Sequence, residues 1–137
     1  MKTINANKQE FVDLINGLFQ VQELKGREFS LLVSKNIAIL REDLKDIEEA
    51  GKPSEEFLEL AQQVNEIATE DTPEAKEKID NLEKENKDLV EVRKAQVDKV
   101  AEMMKENLEV DLHIIPESAL PEDVSAKQIN SLIKIIE

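Results

Sequence analysis

A chain of 137 residues with a net charge of −13, from 31 acidic against 18 basic residues, disfavours electrostatic binding to nucleic-acid phosphates or anionic lipid headgroups. It carries no cysteine, which excludes disulfides, thiolate metal sites and thiol nucleophiles, and with four Phe and neither Trp nor Tyr its core must be aliphatic. The N-terminal MKTINANKQEF has no apolar signal core and no stretch approaches the roughly 20 apolar residues of a membrane span, so neither a secretion signal nor a transmembrane segment is expected.

The first predicted helix runs from Lys8 to Glu23, with Phe11, Leu14, Ile15, Leu18 and Phe19 on one face and Asn5 or Asn7 available as its cap. Gly17 inside it costs roughly 1 kcal/mol relative to Ala unless a neighbour packs against it. Leu24-Lys-Gly26 breaks the pattern. A second helix, about Arg27 to Ala50, repeats Phe29, Leu32, Val33, Asn36, Ile37, Leu40, Leu44 and Ile47 at three- and four-residue steps. Gly51-Lys-Pro53 terminates it.

Ser54-Glu-Glu opens a third helix with the stripe Phe57, Leu60, Ala61, Val64, Ile67 and Ala68. Thr72 followed by Pro73 caps and starts a fourth. Its seam is Ile79, Leu82, Asn86, Leu89, Arg93, Val97, Val100, Met104 and Leu108, spaced as in a coiled coil. An unbroken helix over that length would be roughly 54 Å long. At Val110 the period changes to two, so Val110, Leu112 and Ile114 alternate with Asp111 and His113 in one short strand. A polar connection over 117–123 leads to a last helix from about Ser125, carrying Ile129, Leu132, Ile133 and Ile136.

The short turn at Thr72-Pro73 requires the fourth helix to run back along the third. The expected fold is mainly α: an antiparallel helical hairpin, a coiled-coil-like arm over 41–99, on a small helical base formed by 1–40 and 100–137. The base holds one short β-strand near 109–115, and the whole forms a single domain. Whether the arm pairs within one chain or between two copies is left open by a seam of this width.

Candidate chemistry is sparse. Asp111 and His113 stand two apart on a strand, a spacing that suits a metal or a proton relay, but no second His or Cys completes either, and a solvent-facing pair is the plainer expectation. Three glycines provide neither a phosphate loop nor a Gly-x-Ser-x-Gly motif, and the one His leaves any nucleophile dyad without redundancy. No catalytic residue, metal or cofactor is therefore expected. Residues 53–71 carry Glu55, Glu56, Glu59, Glu66, Glu70 and Asp71 without one Lys or Arg. The pairs Glu55/Glu59 and Glu66/Glu70 place like charges one helical turn apart, which destabilises a helix slightly and marks a solvated face, a collector of divalent cations or a surface for a basic partner, the solvated face being the plainest expectation. Asn86 and Arg93 interrupt the fourth helix's seam and either fix its register or mark where it splays.

Leu14-Ile-Asn-Gly-Leu18, then Ser34-Lys-Asn-Ile37 with Leu40, then an acidic helix and charged spacer, then Glu109-Val-Asp-Leu-His-Ile114 before an apolar helix, resembles a family of small tailed-bacteriophage proteins of unknown function. The resemblance covers most of the chain and is most specific from Val110 to Ile136. It implies a phage origin, with the host cytoplasm or the virion as the location, and supplies no catalytic residue. The expected role is a non-enzymatic one, binding other proteins as a virion structural or assembly component. The alternative is an acidic inhibitor, made early in infection, of a host nucleic-acid-binding or defence protein, occupying a nucleic-acid groove. In either case Glu55, Glu59, Glu66 and Glu70 are the candidate partner-binding residues.

Overall fold

A computed structural model describes all 137 residues. The protein is mainly helical, with seven α-helices and one two-stranded antiparallel sheet. Its contacts divide it into two compact units. Unit 1 comprises Met1–Ile47 with Glu102–Glu137, and unit 2 comprises Glu48–Ala101.

Unit 1 begins with a strand that the sequence pattern does not reveal, β1 (Lys2–Asn7), where Ile4 and Ala6 point inward and Thr3 and Asn5 outward. It pairs antiparallel with β2 (Asn107–Leu112) in a register that sets Lys2 opposite Leu112 and Asn7 opposite Asn107. The expected lone strand is thus one of two, and it starts and ends earlier than its sequence suggests. Leu108, expected at the end of a helix, lies in β2 opposite Ala6. Only two inward side chains, one of them alanine, mark β1, too short an alternation to read as a strand.

Asn7 ends β1 and caps α1 (Lys8–Gln20) in a reciprocal box: its side chain accepts from the Glu10 amide at 2.8 Å, and the Glu10 carboxylate accepts from the Asn7 amide at 2.9 Å. This amide, together with Lys134 at 3.4 Å, holds the Glu10 carboxyl below its usual range. Gly26, at φ +147°, precedes α2 (Arg27–Asp43) and permits a backbone that a side chain would strain.

The predicted second helix is interrupted at Leu44, and α3 (Lys45–Gly51) follows. No Gly or Pro causes the break. The Asp46 carboxylate accepts from the neighbouring Ile47 amide at 2.9 Å, a local bond that competes with helix continuation. The predicted last helix is only α7 (Ala126–Ser131), followed by a 3-10 turn over Ile133–Ile135. Another 3-10 turn, Glu117–Ala119, occupies the polar connection.

The core of unit 1 lies between the inner face of the sheet and these helices. Phe11, Leu18, Phe29, Leu40, Leu112, Ile115, Leu132 and Ile135 are fully buried, each burial contributing on the order of 2 kcal/mol. Ile115, rather than Ile114, completes the inward series because β2 ends at Leu112. From there the Ile115 amide donates to the Ile135 carbonyl at 2.7 Å, docking the apolar C-terminal segment.

Unit 2 contains α4 (Glu55–Ala68), α5 (Pro73–Glu85) and most of α6 (Lys87–Met104). Ser54 and Thr72 cap the first two as their sequences require, with Pro73 in the first turn of α5. The hairpin is antiparallel. Glu70 meets Lys78 near the turn, and farther along Phe57 meets Arg93. The expected unbroken fourth helix is two helices. Asn86 leaves helical geometry at φ −113°, ψ 31°, and its side chain donates to the Leu82 carbonyl at 2.9 Å. Beyond the break no residue of α6 is fully buried: Leu89, Arg93, Val100 and Met104 of the expected seam are half-buried, as is Gln96, whereas Val97 is 52% exposed.

Candidate functional site

Asp111 and His113, the one pair with a catalytic or metal-binding spacing, are engaged by different elements. Asp111 is exposed on β2 and accepts a hydrogen bond from the Thr3 hydroxyl of β1. His113 lies beyond the strand and is held by its main chain: its amide donates to Asn36 Oδ1 at 2.8 Å and its carbonyl accepts from Asn36 Nδ2 at 2.9 Å. Asn36 is fully buried on α2, so this apolar-stripe position pins the exit of β2 to the helix behind it. No group of three or more His, Asp and Glu side chains is arranged to hold a metal ion. No helix is long and apolar enough to cross a membrane.

A second polar cluster lies where α1, α3 and the residues before β2 meet in unit 1. Lys8 is only 8% exposed, and its ammonium donates to Asp46 at 3.0 Å and Glu106 at 2.8 Å. Hydrogen bonding to Glu106 and then Asp46 raises the Lys8 pKa, and the bond from Lys8 lowers that of Asp46. The Lys8 amide also donates to the Glu106 carbonyl at 2.9 Å. Two ammonium hydrogen bonds and the amide are used within the fold, which makes this a structural tie.

Glu55, Glu59 and Glu66 all lie exposed on α4. At about 100° per residue they share one face, and about 16 Å of helix separates the first from the third. Neither they nor Glu56 pair with a Lys or Arg of the chain. Carboxylates strung out over that length cannot converge on one cation, whose oxygen ligands all sit within about 2.6 Å of it; they suit an extended basic surface.

The fourth candidate, Glu70, is not part of this row. The helix ends at Ala68, Thr69 donates its hydroxyl to the Glu66 carbonyl at 2.7 Å, and Asp71 turns the chain at φ +45°. Glu70 therefore sits in the turn, 3.7 Å from Lys78, and the expected Glu66/Glu70 helical pair is not formed.

Beside the acidic row lies apolar surface that the heptad-like seam does not identify. Leu58 on α4 is 52% exposed there, and elsewhere in the unit Val92 on α6 is 59% exposed. Their signal in the sequence is apolar character out of phase with the buried stripe. Between α4 and the α5–α6 pair, Phe57, Ala61, Val64 and Val90 line a cleft of about 230 Å³ with Asn65 and Glu83 at its rim. The opposite flank of the same helices is polar, lined by Glu56, Glu59, Gln63 and Asn86.

Arg93 closes one end of unit 2. Its guanidinium donates to the Gly51 carbonyl at 2.6 Å and lies 5.7 Å from the centre of the Phe57 ring. Of the two expectations for this residue, fixing register matches what it does: it satisfies a helix-end carbonyl and stacks on the partner helix.

Comparison with protein-family models, with curated proteins and with solved structures finds no match.

Proposed function

We propose that this chain is a non-enzymatic protein that works by binding another protein through unit 2. The observation that carries the reading is the pairing on α4 of unneutralised Glu55, Glu59 and Glu66 with exposed Leu58. Exposed aliphatic side chains beside charges of one sign form a surface with both an adhesive and a selective part. The resemblance to small tailed-phage proteins points to a virion structural or assembly component as the setting. Mass spectrometry of purified virions tests this: presence in fixed stoichiometry is expected, and absence from both virions and assembly intermediates removes it.

The absence of any Lys or Arg between residues 53 and 71 favours a second reading, an acidic inhibitor that occupies the basic nucleic-acid groove of a host protein. Capture of such a target weakens as salt rises, because the exposed charges are screened beyond about 10 Å at 0.1 M. Capture that ignores salt and survives charge reversal of Glu55, Glu59 and Glu66 rules this second reading out.

A further inference from the structure

We infer that the cleft between α4 and the α5–α6 pair receives one apolar side chain of a basic amphipathic helix, which lies across Ala61 with its cationic flanks on Glu66 and Glu83. The inference rests on the protein-binding reading above and names the chemistry of the partner.

The cleft holds about 230 Å³. That falls below the about 300–1,000 Å³ of ordinary small-molecule sites and above the about 150 Å³ that accommodates a benzene ring. It suits a single large aliphatic or aromatic side chain. Phe57, Ala61, Val64 and Val90 provide apolar walls, while the rim residues Asn65 and Glu83 are exposed.

Ala61 and Asn65 also line a more open hollow on the adjoining flank of α4, together with Leu58 and Glu66. Apolar surface therefore continues over Ala61 from the cleft to Leu58, with a carboxylate on either side. A helix presenting apolar residues at i, i+3, i+4 and i+7 matches this layout, one anchor entering the cleft and the next resting on Leu58. Charge decides the occupant: Glu48–Ala101 holds sixteen acidic against eight basic residues. A second copy of this unit would bring like charge to the same surface, whereas Lys or Arg flanking the anchor would meet Glu66 and Glu83.

The test uses the full chain and two labelled peptides of identical Leu and Lys composition. One has Leu at i, i+3, i+4 and i+7, and the other is scrambled. In fluorescence anisotropy the patterned peptide should bind about tenfold more tightly, and Ala61→Phe, which fills the cleft, should remove most of that difference, as losing a central anchor does. The double variant Glu66→Lys/Glu83→Lys changes only exposed side chains and should weaken the patterned peptide without altering the fold. Equal binding of the two peptides overturns the inference, as does patterned binding indifferent to both variants. A self-association in sedimentation that Ala61→Phe abolishes also overturns it, making a second copy the occupant. The virion or assembly setting is judged separately by the virion analysis, so that setting and this inference can each fail alone.

Discussion

Replacing Asn36 with Leu keeps a branched side chain of similar outline but deletes both hydrogen bonds to His113. Asn36 is fully buried, and its two bonds are 2.8 and 2.9 Å long. The variant leaves a main-chain donor and acceptor facing an apolar side chain, and each orphaned buried group costs about 1–3 kcal/mol. His113 itself is half-buried, so water reaches part of this site and the lower half of that range applies to each group. The sum is about 2–4 kcal/mol, a large fraction of the about 5–15 kcal/mol that holds a typical domain together. For a chain of this size it corresponds to a fall in Tm of about 6–12 °C.

Urea unfolding followed by far-UV circular dichroism measures the loss, and hydrogen exchange at the His113 amide reports its location. Because only the His113 main chain is engaged, His113→Ala should stay within about 0.5 kcal/mol of the parent. A loss below about 0.5 kcal/mol for Asn36→Leu, with the His113 amide still protected, would refute the reasoning.

Lys8→Met removes both ion pairs while keeping the buried stem, and should cost about 1–2 kcal/mol because the freed carboxylates are half-exposed and regain water. The linked groups predict the pH profile. The depressed Asp46 contributes stability above its unfolded value of 3.8, lost as pH falls through its lower folded value. The elevated Lys8 contributes below 10.5, and that stability is lost as pH rises through its higher folded value. Urea midpoints measured across pH should therefore show both the acid and the alkaline limbs flattened in Lys8→Met.

Gly17→Ala should destabilise by about 1–2 kcal/mol despite its better helix propensity. A methyl group there would lie 2.8 Å from the Ser131 hydroxyl of α7 and 3.3 Å from its carbonyl. Thermal melts should show partial rescue when Ser131→Gly is added, and additive losses would count against the contact. Arg93→Met should cost about 1 kcal/mol by loss of the charged hydrogen bond to Gly51 and the stacking on Phe57, with faster amide exchange confined to 48–101.

Caps and turns were the most legible part of the sequence. Ser54, Thr72-Pro73 and Gly26 act where their local chemistry places them, because each works through its own neighbours in the chain. The two helix breaks were harder to see, since Leu44 and Asn86 both sit in phase with an apolar stripe. At each break a side chain bonds nearby backbone: the Asp46 carboxylate accepts from the Ile47 amide, and the Asn86 side chain donates to the Leu82 carbonyl. Strand β1 was hidden for a different reason: its partner is β2, far away in sequence, and pairing rather than composition creates it. At the candidate site the glutamates were legible as charge, whereas the exposure of Leu58 and the cleft beside Ala61 depend on how α4 packs against the α5–α6 pair.

The antiparallel pairing of β1 with β2 also dictates an order of events at the ribosome. Asn7 pairs with Asn107, so β1 emerges early and has no partner until all of 48–101 has been made. The intervening helices form from nearby contacts and can gather during that interval, whereas the sheet must close a long loop. Until then the unpaired edge of β1 and the apolar face of α1 are open to wrong partners. Polar Thr3, Asn5 and Asn7 along a strand with only two inward side chains keep that waiting edge poorly adhesive, so the weak strand signal that conceals β1 in the sequence also protects the nascent chain.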